Sequence, residues 1–354
     1  MAGFLHQIQK IAQLVLDLFR GHVRRHKALL YFACARKPLF WKWKVSGLRR
    51  RNRGAPVILI SLVEHLGDIV AAEPIARYLR DENPDAVILW AIRKQFRDLV
   101  EHNPAINGIL TVGCLSEWIC MADHKLFDKV YDLHVPGREC PLCRWKWDNP
   151  SAGGDVNLRN YFHFGNLLQI FCQVAGLAKL DDAPQLYIPR HVRSEVDAIG
   201  VPRNFVTIHC RSNRVERDWI TAKWQALTEQ IIAKYAITVV EVGLEPVVNH
   251  SGRGYVNLCG KLSVLQTAEV IRRSALFVGI DSGPAHLANA AGTYGVILMG
   301  HFGPFKTYVP YSGDYASGSN ADVIHADGPA ASISVERVLQ SVEQRLYSAK
   351  SELL

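Results

Sequence analysis

The stretch Phe277-Val278-Gly279-Ile280-Asp281-Ser282-Gly283-Pro284-Ala285-His286-Leu287-Ala288-Asn289-Ala290-Ala291-Gly292 decides how the chain is read. Leu276 to Ile280 is a short apolar run ending at a turn, as for a parallel strand covered on both faces. Asp281 and Ser282 are residue types that begin helices. Pro284 suits the first helical turn, where its missing N–H costs nothing. Gly283 lets a ligand approach the backbone. The free amides of such a helix start favour an anion by about 0.3–1 kcal/mol, up to about 2 when partly buried. An ordinary strand–turn–helix unit has the same pattern, so this motif alone leaves both readings open.

A second turn narrows the choice. Val57 to Leu62 is another apolar strand run, followed by Val63-Glu64-His65-Leu66-Gly67-Asp68 and a helix expected over 69–80, with Pro74 bending or tightening its start. A dinucleotide site would carry G-x-G-x-x-G here. This turn has one glycine and a carboxylate instead, so the first strand ends in chemistry rather than in a phosphate cradle. Around these two turns the chain alternates strands and helices: strands at 57–62, 86–91, 108–112 and 129–133, helices at 94–101 and 160–176, and a linker at 184–189. A second set follows, with strands at 205–209, 237–242, 276–280 and 295–299, helices at 221–234, 263–273 and 284–291, and a terminal helix at 332–348. The expected domains are a basic extension (1–53), a first Rossmann-like domain (54–188) and a second (189–354). Two doubly wound α/β sheets should face a cleft and bind ligands at the carboxyl ends of their strands.

Several pieces recur in order: Leu66-Gly67-Asp68, Asn83-Pro84-Asp85-Ala86, Glu101-His102-Asn103-Pro104-Ala105-Ile106, Arg217-Asp218-Trp219 with Lys223-Trp224, Asp281-Ser282-Gly283-Pro284-Ala285-His286, and Phe302-Gly303-Pro304. Together, over residues 56 to 312, they resemble glycosyltransferase family 9, the ADP-heptose:lipopolysaccharide heptosyltransferases. The resemblance implies a GT-B fold, with an acceptor side in the first domain and a nucleotide-sugar donor site in the second. It also implies inverting transfer of a sugar, heptose from ADP-heptose in the first instance, to a lipopolysaccharide or other envelope glycan.

Inverting transfer needs a base for the acceptor hydroxyl and cations or amides for the leaving diphosphate. The resemblance makes Asp68 the base, although an Asp there also serves as a helix cap. Gly67 would admit the acceptor to the backbone. For the diphosphate, Arg217 stands where the family usually has Lys and offers two parallel donors; Arg211 and Arg214 are second candidates, and Ser212 is a hydroxyl donor. Glu245 matches the family's ribose-binding acid and Leu262 a position near adenine. Asp281 should hold sugar hydroxyls, the amides at Ser282 and Gly283 phosphate, and His286 either sugar or phosphate unless it is structural. Glu64 and His65 replace small hydroxyl residues of the family, placing a second carboxylate and an imidazole beside the base; both are auxiliary candidates that can equally turn into the structure. Other readings are a different nucleotide sugar, a protein or polysaccharide acceptor, a nucleotide-sugar epimerase on the same fold, and a non-catalytic nucleotide-sugar binder.

Charge is unevenly placed. Residues 1–53 hold 13 of the 41 Lys and Arg but one of the 33 acids, Asp17, so the rest of the chain is mildly acidic. Phe4, Leu5, Ile8, Ile11, Ala12, Val15, Leu18 and Phe19 form a helical apolar stripe, followed by basic residues interleaved with Trp41 and Trp43. This pattern suits the surface of an anionic membrane, which places the protein on the inner face of the cytoplasmic membrane as a peripheral, cytoplasmic enzyme. No apolar run reaches the ~20 residues of a spanning helix, no signal-peptide layout is present, and no nucleic-acid motif supports that partner. The eight scattered cysteines suit a reducing compartment. Cys140-Pro141-Leu142-Cys143 is half of a metal site; Cys114, Cys120, Cys172 and His134 could complete one only through folding. Transfer itself is expected to need neither a metal nor another cofactor.

Overall fold

The computed structural model describes residues 38–122, 126–301 and 308–351. The apolar stripe of residues 4–19 and the Phe302-Gly303-Pro304 motif lie outside them. Twelve strands are described: β1 (Val57–Ser61), β2 (Val87–Arg93), β3 (Gly108–Val112), β4 (Lys129–Asp132), β5 (Arg138–Glu139), β6 (Lys146–Trp147), β7 (Phe205–His209), β8 (Thr238–Glu241), β9 (Tyr255–Asn257), β10 (Leu276–Ile280), β11 (Gly295–Met299) and β12 (Ala321–His325). The first sheet has the order β3-β2-β1-β4 and the second β12-β11-β10-β7-β8-β9. Every ladder in both is parallel. The apolar runs explain this: β1, β7, β10 and β11 are buried at every residue, as strands covered by helices on both faces must be. β5 and β6 form a separate antiparallel hairpin.

Local chemistry moved several expected boundaries. The single helix expected over 69–80 is two, Leu66–Ala71 and Glu73–Glu82. Pro74 lies in the first turn of the second, where its missing N–H is tolerated, and the chain turns at Ala72. The helix expected over 160–176 is confined to Leu167–Val174. Gly165 adopts φ 95°, and Asn166 caps the helix by accepting the Gln169 N–H at 3.0 Å. β9, β12 and helices at 38–51, Leu115–Ala122 and Arg190–Ile199 were not anticipated.

The two sheets share one continuous apolar core. Ile60, Ile69 and Leu79 belong to it from the first sheet's layer, with Phe277, Ala285 and Ile297 from the second's. The chain passes from the first layer to the second between β4 and β7, and Glu73 fastens this crossing. Its buried carboxylate accepts hydrogen bonds from Arg77 Nε (3.2 Å), Asn103 Nδ2 (3.1 Å), the Gln185 N–H (2.9 Å) and Tyr187 OH (3.3 Å). The segment between β11 and β12 ties the layers again: Leu167 N–H donates to Pro310 O (3.2 Å) and Gly313 N–H to Asp181 O (3.0 Å).

Glu73→Ala would take this acceptor from four donors, one of which, on Asn103, is buried. We expect a loss of about 3 kcal/mol in urea unfolding, the scale for breaking a buried ionic contact. A loss under about 0.5 kcal/mol would show that water replaces the carboxylate without cost.

Candidate active site

The site forms where the carboxyl end of β1 meets that of β10. The Leu66–Ala71 helix follows β1 and the Gly283–Ala290 helix follows β10, and their first turns pack on each other. Both contacts need glycine. A Cβ on Gly67 would lie 2.6 Å from Cδ2 of the His286 ring, and one on Gly283 would lie 2.8 Å from Cδ2 of Leu66. The close approach that Gly67 permits in the structure is to His286. His286 itself is buried, with its ring 4.7 Å from that of Tyr311.

Two ion pairs line this junction. Asp68 Oδ2 accepts from Arg138 at 2.6 Å, and Asp281 Oδ2 lies 3.0 Å from an Arg217 nitrogen. Tyr311 OH also donates to Asp281, at 3.4 Å. All four charged groups act on the Tyr161 phenol. Burial first and then Asp68 push its pKa up, while Arg138 and Arg217 pull it down. Asp68, Asp281 and Arg217 likewise all act on His286, whose pKa burial holds below its usual value. An acid–arginine pair from each domain thus borders one half-buried space. Tyr161 and Tyr308 meet edge to face across it, with ring centroids 5.9 Å apart.

The sequence-predicted residues separate into groups. Asp68, Gly67, Arg217, Asp281, Ser282, Gly283 and His286 come together. Asp281 spends its carboxylate on Arg217 and Tyr311 rather than standing open for sugar hydroxyls. Ser282 directs its hydroxyl to His209 Nδ1 (3.0 Å) and Ile280 O (3.1 Å) and leaves the helix start without a side-chain cap. Its amides are thereby left for an anion. Ser212 donates to Arg214 O (2.7 Å), closing its own turn rather than pointing a donor outward. Arg211 pairs with Glu245 at 3.4 Å, both largely exposed, and Arg214 is exposed. Two acids end the β8 stretch. Glu241 turns inward to accept from Val247 N (2.7 Å) and Val248 N (3.1 Å), which leaves Glu245 facing out. Leu262 packs at the margin of a small core beside β8. Of the auxiliary pair, Glu64 is buried and bonded to Arg93 at 2.9 Å, so it serves the structure; His65 is exposed.

Arg138, Tyr161, Tyr308, Tyr311 and His209 were not anticipated. Arg138 lies 70 residues from Asp68 and belongs to no motif. Its Nε is buried without a hydrogen-bond partner among the described residues. Such an atom is costly to bury and marks a place for a ligand's oxygen.

The two Rossmann-like domains and the carboxyl-end cleft between them define the fold class: GT-B. A structure of glycosyl transferase family 9 from Veillonella parvula DSM 2008 superposes with a TM-score of 0.66 at 19% identity, over 83% of this chain and 98% of that one. Escherichia coli ADP-heptose LPS heptosyltransferase II does so with a TM-score of 0.63 at 18% identity, over 83% and 99%. Residues 162–323 match the family model described as glycosyltransferase family 9 (heptosyltransferase). Lipopolysaccharide heptosyltransferase 3 of Escherichia coli is 29% identical over 273 residues, 66% of this chain and 80% of that protein. The chain is thus similar to glycosyltransferase family 9 enzymes, heptosyltransferases among them.

His209 supplies a test of the packing under the donor side. It is fully enclosed, and burial lowers its pKa from 6.5 to about 4. The neutral ring is favoured by folding, so its contribution is complete above pH 6.5 and disappears as pH falls toward 4. The term reaches about 3 kcal/mol. In urea unfolding between pH 6.5 and 4.5, His209→Asn should lose stability less steeply than the wild type. Parallel curves would mean that the ring titrates freely.

Proposed function

We propose that the enzyme transfers heptose from ADP-heptose to a lipopolysaccharide-core acceptor with inversion, and that Asp68 is the base. The observation carrying this reading is the convergence of Asp68 with the Arg217–Asp281 pair at the facing helix starts. Similarity to lipopolysaccharide heptosyltransferase 3 supports the sugar and acceptor class.

The Asp68 carboxylate takes the proton of the acceptor hydroxyl as its oxygen attacks the anomeric carbon. The bond from that carbon to the diphosphate oxygen breaks on the opposite face, and its electron pair leaves with ADP. Arg217 and the uncapped amides at Ser282 and Gly283 meet the growing negative charge. Glu245, Leu262 and Arg211 lie at the carboxyl ends of β7, β8 and β9, where ribose and adenine would extend. Arg138 neutralises Asp68 through one nitrogen, and its Nε is placed to grip an oxygen of the acceptor. The scheme enlists no metal or cofactor; ADP-heptose is a substrate.

Asp68→Asn should lower kcat about a thousandfold, within the usual range for a general base, with donor affinity retained. Arg217→Ala should instead abolish stabilisation by ADP in a thermal shift. The product anomer, read by NMR, should be opposite to that of the donor. An Asp68→Asn enzyme within tenfold of wild type would place the base elsewhere.

The same reading puts the enzyme on the inner face of the cytoplasmic membrane, near its glycolipid acceptor. No described helix is long and apolar enough to cross a membrane. The 38–51 helix buries Trp41 and Val45 against the first domain and leaves Leu39, Phe40 and Trp43 exposed among Lys42 and Lys44. Aromatic residues interleaved with lysine suit an anionic headgroup layer. A groove of about 540 Å³, lined by Phe40, Lys44 and Arg97 among others, opens beside them. The double variant Phe40→Ser, Trp43→Ser should co-sediment several-fold less with phosphatidylglycerol vesicles while keeping turnover on a soluble acceptor. Unchanged sedimentation would remove this helix from the membrane contact.

A further inference from the structure

Three cysteines far apart in sequence meet beneath the β5–β6 hairpin. Cys140 directly follows β5 and Cys143 lies in the turn to β6, while Cys114 immediately precedes the Leu115–Ala122 helix. All three are free thiols, buried, with sulfurs within 4.8 Å of one another. Of the four residues that could have completed the C-x-x-C, folding brings in Cys114. His134 is committed to Asp132 and to the Val63 N–H, Cys172 belongs to the main core, and Cys120 is disulfide-bonded.

We propose that Cys114, Cys140 and Cys143 bind a thiophilic divalent metal, zinc or ferrous iron, that staples the hairpin to the first domain. The spacing fits. Zinc–thiolate bonds of about 2.3 Å in a tetrahedron put sulfurs about 3.8 Å apart, and Cys114 Sγ and Cys143 Sγ lie 3.8 Å apart. A disulfide would need about 2.05 Å. The backbone supplies the usual support of a thiolate knuckle. N–H groups of Cys143 and Ser116 point at the Cys140 sulfur and that of Glu117 at the Cys114 sulfur. The turn is closed by Cys140 N–H to Trp145 O (2.8 Å) and Arg144 N–H to Cys140 O (2.9 Å), with Arg144 at φ 62°. Ser116 is fully buried, with its hydroxyl turned to the Cys140 and Cys143 sulfurs. It faces the coordination position that the three thiolates leave open.

The staple has a consequence for the cleft. Arg138 stands two residues before Cys140 on β5, so the metal fixes the strand that delivers Arg138 to Asp68. Asp132 holds the same hairpin from the other side, accepting from Trp118 Nε1 (2.9 Å) and Trp147 Nε1 (2.7 Å).

The test is elemental analysis of the full chain, purified without chelator or a metal-affinity column. About one equivalent of zinc or iron per chain is expected in the wild type, and below a tenth in Cys143→Ser. Cys172→Ser, in the same domain, should keep the full equivalent. Should Cys143→Ser fail to fold, the wild type answers alone: a mercurial reagent should release one metal as three thiols react, and cobalt(II) added to metal-stripped, reduced protein should give a thiolate-to-cobalt charge-transfer band. Less than a tenth of an equivalent in the wild type, with no such band, would overturn the proposal. None of these readouts depends on transferase activity, so the site stands or falls apart from the role given to Asp68.

Discussion

The structure depends on a steric constraint at two glycines. Gly67 and Gly283 each open a helix, and each lies under a side chain from the other domain: His286 over Gly67, Leu66 over Gly283. Interiors are packed too closely to absorb a methyl group at such a distance without movement. The reciprocal contact therefore sets how near the two sheets' carboxyl ends can come. Asp68 is the residue after Gly67, and Asp281 lies two before Gly283, so this contact also fixes the spacing of the charged groups. Register between domains and register within the site are one quantity.

Charge balance in the cleft follows from that closeness. Asp68 and Asp281 sit in a space lined by Tyr161, Tyr308, Tyr311 and His286, where burial drives the phenols and the imidazole toward their neutral forms. Two carboxylates there would be expensive alone, and each has an arginine: Arg138 from the hairpin and Arg217 from the turn after β7. Both arginines deliver planar, permanently charged donors, the chemistry suited to phosphate and carboxylate oxygens alike. Each carboxylate is thereby neutralised by a cation from its own domain.

The sequence disclosed what local periodicity encodes and little of what is settled at long range. Continuous apolar runs such as Phe205–His209 and Leu276–Ile280 could only be buried parallel strands, and the carboxyl-end turns carrying Asp68 and Asp281 followed from them. The division of the first cleft helix was in reach, since Pro74 signals it, as Gly165-Asn166 signals the late start at Leu167. β12 was harder: Ala321-Asp322-Val323-Ile324-His325 is neither a continuous apolar run nor a strict alternation, and reads as a loop without its neighbour β11. The site's partners were out of reach. Nothing near Glu64 announces Arg93, so a carboxylate that looked catalytic by its position beside Asp68 is an interior ion pair. Arg138 sits among glycine, tryptophan and cysteine in a stretch with no periodicity, and only the folded hairpin brings it to Asp68.

That hairpin explains why a departure from the simple doubly wound plan lies so close to the chemistry. A β-strand of two residues has too few ladder hydrogen bonds to hold a side chain in place by itself. Arg138 is nonetheless held within 2.6 Å of Asp68. The positional order must come from the hairpin's far side, where buried indole, carboxylate and thiol groups from β4, the Leu115–Ala122 helix and the C-x-x-C turn converge. Precision at a site is supplied by the residues that immobilise its first contacts. Here a short excursion between β4 and the linker builds that support outside either sheet. Arg138 is thus placed by the hairpin, while Gly67 and Asp68 are placed by the helix contact between the domains.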